Sequence, residues 1–227
     1  MPPPPRVGSV LREAAGDFFY NSWRFFGANL LLGLFMVVVV LGSVGSAWAL
    51  LGVILLVPPA AGTMRMATRL IRDGHTDFSD FTEVLRRPWP FLAVGAAQLV
   101  VTLVLVVDVS IAAAWRSWPG TFLVVSAAYG LLLLWAYALV AWPLLLDPVR
   151  DAERVSSRLR LAFVVLLAHP LRIGLFALLM GALLVVATVA IAPIITFAVA
   201  LAWLAIARYV LPIADRVEGR ETLVVDD

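Results

Sequence analysis

Apolar residues in this chain come in long unbroken blocks rather than in short alternating or helically spaced groups. Residues 25–64 are 40 positions without a charged side chain, and residues 173–207 are another 35. As single helices these stretches would be about 60 Å and 52 Å long, at 1.5 Å per residue. A bilayer core is only roughly 30 Å thick, so each stretch has the length of two spans rather than one. In the first, the run Gly42-Ser43-Val44-Gly45-Ser46 supplies the turn-forming residues, which predicts spans at 25–43 and 46–66. In the second, Pro193 lies near the middle and suits the first turn of a helix, which predicts spans at 172–190 and 193–211. Two further blocks, Pro88 to Ala114 and Thr121 to Leu146, are separated by Arg116-Ser117-Trp118-Pro119-Gly120. The expected fold is an all-α, polytopic membrane bundle of six transmembrane helices in three hairpins, forming one domain over residues 1–227. Pro2 to Pro5 belong to a disordered start over 1–8, and residues 218–227 form an acidic, frayed tail.

Between the blocks the pattern changes to that of amphipathic helices. Over Thr76 to Arg87, Phe78, Phe81 and Leu85 share one helical face and Asp80, Glu83 and Arg87 another, with Thr76 or Asp77 placed to cap the start. Val155 to Ala168 gives a second such segment, with Arg154 and Arg158 on one side. Both are expected to lie at the membrane interface.

The arginines add an orientation. Sixteen of the 17 fall in the N-terminal segment, the two connectors between hairpins, or the C-terminal segment; only Arg116 sits at a hairpin tip. Positive residues favour the cytoplasmic side, so both termini are expected in the cytoplasm of a bacterial cell. Trp23, Trp89 and Trp142 then mark inner ends and Trp48, Trp115 and Trp118 outer tips, while Trp135 and Trp203 lie deeper as packing residues. Ala47-Trp48-Ala49 resembles a signal-peptidase site, but the 24 residues before the apolar run include Phe18, Phe19, Trp23 and Phe25, unlike a short basic leader. The first block is therefore expected to stay as a hairpin.

Composition narrows the class of protein. Hydrophobic residues make up 63% of the chain and charged ones 14%, against about 45–50% and 25% in soluble domains, which excludes most soluble enzymes. The absence of cysteine removes disulfides, thiol catalysis and thiolate metal sites. There is no G-x-S-x-G elbow, phosphate-binding loop or G-x-G-x-x-G fingerprint. His75 and His169 have no metal-ligand spacing, and no basic stripe with interleaved aromatics points to nucleic acid. No enzyme activity, cofactor or metal is expected.

A shift of 148 positions places Leu11-Arg12-x-Ala14 on Leu159-Arg160-x-Ala162. The same shift sets Arg24 on Arg172, Leu30-Leu31 on Leu178-Leu179, and Gly33 on Gly181. Each copy sets an amphipathic helix before a span hairpin, which suggests a parallel repeat.

Several short motifs follow one another in an order that resembles the YesL-like family of bacterial integral membrane proteins. They are Asn29-Leu-Leu, Pro58-Pro59-Ala60-Ala61-Gly62-Thr63, Arg65, Arg69-Leu-Ile-Arg72, Asp77-Phe78 with Phe81, Arg158-Leu-Arg-Leu-Ala162 and His169-Pro170. The similarity covers nearly the whole chain. It departs at Pro58-Pro59-Ala60-Ala61, where the family has a Pro-Ala-Thr-Ala type of run. The resemblance implies an accessory role in carbohydrate uptake by ABC-type importers, with a membrane transporter subunit as partner.

The candidate sites are few. Arg65, Arg69 and Arg72 recur at i, i+4 and i+7 and align on one helix face, as a contact for anionic lipid or a partner's carboxylates, or as a positive-inside anchor. Asp108 is the one acidic residue well inside an apolar block, and Gln98 and Thr102 share a face of the third span. An intramembrane polar path would suit a small transporter or channel, while helix capping and interhelical hydrogen bonding would suit a packed bundle.

Overall fold

The charge-free block at the N-terminus does double back. In the computed structural model, which describes residues 5–45, 47–115, 117–190 and 197–220, helix α2 (Ser22–Gly45) is followed by a 3₁₀ segment at Ala47–Leu56 packed along it, and then by α3 (Val57–Asp73). Pro58 and Pro59 sit in the first turn of α3, where a missing N–H costs least, and Gly74 ends the helix at φ 71°. Arg24 at the start of α2 pairs with Asp77, just beyond α3, at 3.3 Å, so the two ends of the hairpin lie together.

Helix α1 (Val7–Tyr20) precedes this hairpin. After it come α4 (Phe78–Arg86), α5 (Trp89–Ala114), α6 (Trp118–Leu145), a 3₁₀ turn at Pro148–Arg150, α7 (Val155–Ala168), α8 (Pro170–Ala190) and α9 (Val199–Glu218). Among the described residues there is no strand. Four helices are long and apolar enough to cross a bilayer: α2 through Val39, α5, α6 and α8. The other two predicted spans differ for a clear reason. The second is 3₁₀ over Ala47–Leu56, and α3 carries Arg65, Arg69 and Arg72. The sixth begins at Pro193, outside the described residues, and α9 carries Arg208, Asp215, Arg216 and Glu218.

Helix α9 is the axis of the packed region. Ala200, Ala202, Ala205, Ala207 and Ala214 are buried along it, and their small side chains let α1, α3 and α6 approach closely. Its first turn is held by Asn29 of α2, fully buried, whose Oδ1 accepts the Ala200 N–H at 3.0 Å. In contrast, α5 packs mainly on α6, and only Gly95 and Ala112 along it are buried.

The amphipathic connectors form as expected, with one change of face. Asp77 caps α4 in a capping box with Asp80, whose carboxylate also accepts from the Thr76 hydroxyl. The buried face of α4 is Phe81 with Val84, while Phe78 and Leu85 stay largely exposed. Phe81 sets this rotation by docking on Gly62 of α3; a Cβ at Gly62 would lie 2.6 Å from the Phe81 ring.

The 148-residue offset maps helix ends onto helix ends. Val7–Tyr20 becomes Val155–Ala168, and Ser22 becomes Pro170. Burial follows the same offset at Val10 and Arg158, Ala14 and Ala162, Phe25 and Ile173, Ala28 and Phe176, Asn29 and Ala177, Leu32 and Met180, and Val39 and Ala187. The α5–α6 hairpin therefore stands, along the chain, between two helix pairs of similar length and burial pattern.

Candidate functional site

Ion pairs join all four arginine-bearing segments. Helix α6 ends at Leu145, leaving carbonyls without helical partners. Arg158 of α7 donates to the Leu145 carbonyl at 2.6 Å, and Arg65 and Thr68 of α3 donate to that of Leu146 at 3.0 and 2.7 Å. Cationic donors at a helix C-terminus also offset its negative dipole end. Arg65 further grips Asp151 with both terminal nitrogens and reaches Glu83 of α4 at 3.5 Å.

Two turns further along α3, Arg72 forks onto two carboxylates. Its Nε and Nη2 donate to Asp147 at 3.1 and 2.7 Å, and its Nη1 and Nη2 donate to Asp215 of α9 at 2.6 and 2.9 Å. Arg150, fully buried, bridges the same two carboxylates and extends to Glu218. Burial acts to lower the Arg72 pKa, but the hydrogen bonds it donates to Asp215 and Asp147, with their negative charge, outweigh it and hold the value above that of a free arginine. The guanidinium is therefore a permanent cation. A second link joins the ends of the chain: Arg208 of α9 donates to Asp17 of α1, with Nη2 at 2.9 Å, and to Glu13 at 3.2 Å.

The three arginines of α3 thus part company. Arg65 and Arg72 are turned inward, 4% and 6% exposed, onto carboxylates of this chain. Arg69 keeps a third of its side chain in the open and pairs with Asp73 at 3.1 Å. Asp147, Arg150 and Asp215, the other half of the cluster, were not singled out by spacing. The available signal was a carboxylate directly after an apolar block and another inside α9, each needing a cation once buried.

Gln98 and Thr102 come together at a second place. They line a cavity of about 260 Å³ with Val57, Met64, Trp142 and Trp203, between α3, α5, α6 and α9. The Gln98 side-chain oxygen accepts the Trp142 indole N–H at 3.1 Å, and the Thr102 hydroxyl donates to the Gln98 backbone carbonyl at 2.8 Å. The Trp203 indole N–H is shut off from the surface without a partner among the described residues. Asp108 does not join this group; it is exposed, nearer the other end of α5. Among the described residues no three His, Asp or Glu side chains converge as metal ligands.

No protein-family model, curated protein or solved structure matches the chain.

Proposed function

We propose that this is a six-span protein of the bacterial cytoplasmic membrane, with both termini cytoplasmic, that acts by binding another membrane component and not by catalysis. The paired ends of the first hairpin and the network joining every arginine-bearing segment support a single cytoplasmic end. The carboxylates that acid–base chemistry would need, Asp147, Asp151 and Asp215, are all engaged by guanidinium groups. The observation that carries the binding role is α5, a 26-residue apolar helix in which only Gly95 and Ala112 are buried. Val100, Val104, Val107 and Ile111 lie exposed along it, a surface that a helix of a second membrane protein can cover. By the resemblance described above, that protein is a carbohydrate importer subunit.

Purification in mild detergent tests this. A photo-crosslinking residue at Val104 should capture a specific membrane polypeptide, and Val100→Trp with Val107→Trp in the same chain should abolish capture. Capture of lipid alone at position 104 would refute the binding role.

The cavity at Gln98 favours a second function, a small solute transporter or channel, because it places an amide and a hydroxyl about 14–20 Å along α5 from its start. Proteoliposome flux that falls in Gln98→Leu would establish it; no flux over a broad solute panel would remove it.

A further inference from the structure

Most of the inner arginines are neutralised within the chain, but two that line one cavity are not. Arg6 precedes α1, and Arg172 lies in the first turn of α8. Together with Pro5, Val7, Leu175, Phe176, Leu179 and Tyr209 they line a space of about 480 Å³. Neither guanidinium has an ion-pair or hydrogen-bond partner among the described residues, and no carboxylate lines the cavity.

Two further features give this space a sign and a shape. Arg6 is the N-cap of α1 yet offers no side-chain acceptor, so the amides of the first turn add to the positive field there. The Tyr209 side chain is 2% exposed, stacked on Phe176 with ring centroids 4.2 Å apart, and its hydroxyl has no partner among the described residues. Away from the arginines, Leu175 and Leu179 continue along the same face of α8, reaching about 10 Å beyond Arg172 at the rise of a helix. Both leucines are exposed.

Two cations, free amides and a buried hydroxyl suit the oxygens of a phosphate ester. An apolar ladder leading away from them suits a hydrocarbon chain. We propose that this cavity binds an anionic phospholipid, its phosphate between Arg6, Arg172 and Tyr209 and one acyl chain along Leu175 and Leu179. The site rests on the membrane-spanning architecture, but not on any partner at α5.

The test is native mass spectrometry of the full chain released from bilayers of equal phosphatidylglycerol and phosphatidylcholine, matched in acyl chains. Phosphatidylglycerol should be retained in preference. Arg6→Gln with Arg172→Gln should lower that preference about thirtyfold, in line with roughly 1 kcal/mol for each arginine near an anionic lipid surface. Tyr209→Phe should reduce it by a smaller factor. Arg12→Gln with Arg160→Gln removes the same charge from two other exposed positions and should leave the preference intact. Millimolar sodium phosphate should not displace the lipid. Equal retention of both lipids, an equal loss in the Arg12 and Arg160 control, or displacement by free phosphate would each overturn the proposal. Reporter fusions and partner capture report separately on the architecture and on α5, so failure here is distinguishable from failure there.

Discussion

Arg72 and Asp215 lie 143 positions apart and meet through two hydrogen bonds, at 2.6 and 2.9 Å, with both side chains almost wholly buried. Neither could stay charged in that setting alone, and Asp147 and Arg150 complete the balance. Removing one member of a buried pair leaves the other unmatched, at a cost of about 3–5 kcal/mol. Arg72→Leu should therefore strongly lower the thermal stability of the detergent-solubilised protein, followed by size-exclusion chromatography after heating. Arg72→Lys should fall between the two, because an ammonium cannot fork onto both carboxylates. A wild-type melting profile for Arg72→Leu would show that the cluster does not hold the fold.

Asn29 should matter through the hydrogen bond it accepts from Ala200. Replacing it with leucine strands the buried Ala200 N–H, which costs about 1–3 kcal/mol. Hydrogen exchange should speed up at the start of α9 in Asn29→Leu and remain unchanged in α5. Unchanged exchange at residues 199–201 would contradict the capping role.

Gly62 and Phe81 should be coupled. Gly62→Ala pushes a methyl group into the Phe81 ring and should destabilise the protein by about 1–3 kcal/mol, the usual cost of overpacking. Phe81→Leu opens room, so the double variant should lose less than the sum of the single ones. Additive losses would mean that α4 does not dock on α3 at this point.

Reporter enzymes fused after residue 74 and after residue 220 should report the same, cytoplasmic compartment. Opposite compartments would end the three-hairpin arrangement. The same experiment with a fusion after Ser117 should report the far side.

Much of this was legible from residue patterns. The caps at Asp77 and Asp80 and the pairing of Leu11 to Ala14 with Leu159 to Ala162 are local signals, and the helices follow them; the turn expected from Gly42 onward is not followed, because α2 runs unbroken through Gly45. What stayed hidden depends on which helices become neighbours. Arg65 and Arg72 have the spacing of an exposed basic face, and nothing in α3 reveals that Asp151, Asp147 and Asp215 arrive from elsewhere to enclose them. Arg6 and Arg172 look like ordinary inner-end arginines until α1 is laid across α9. Gln98 and Thr102 were visible as a polar pair on one face, but their cavity depends on Trp142 and Trp203 from two other helices.

The long reach of the Arg72 cluster sets a timetable for biogenesis. Asp147 leaves the ribosome 75 residues after Arg72, and Asp215 follows 143 residues after it. At about 5–20 residues per second the second counter-charge is roughly 7–29 s late. During that interval the nascent first hairpin must hold its cation near the headgroups or on a chaperone. Maturation closes only when the final helix is released, so a chain truncated before residue 215 is left with an orphaned charge that quality-control proteases can recognise.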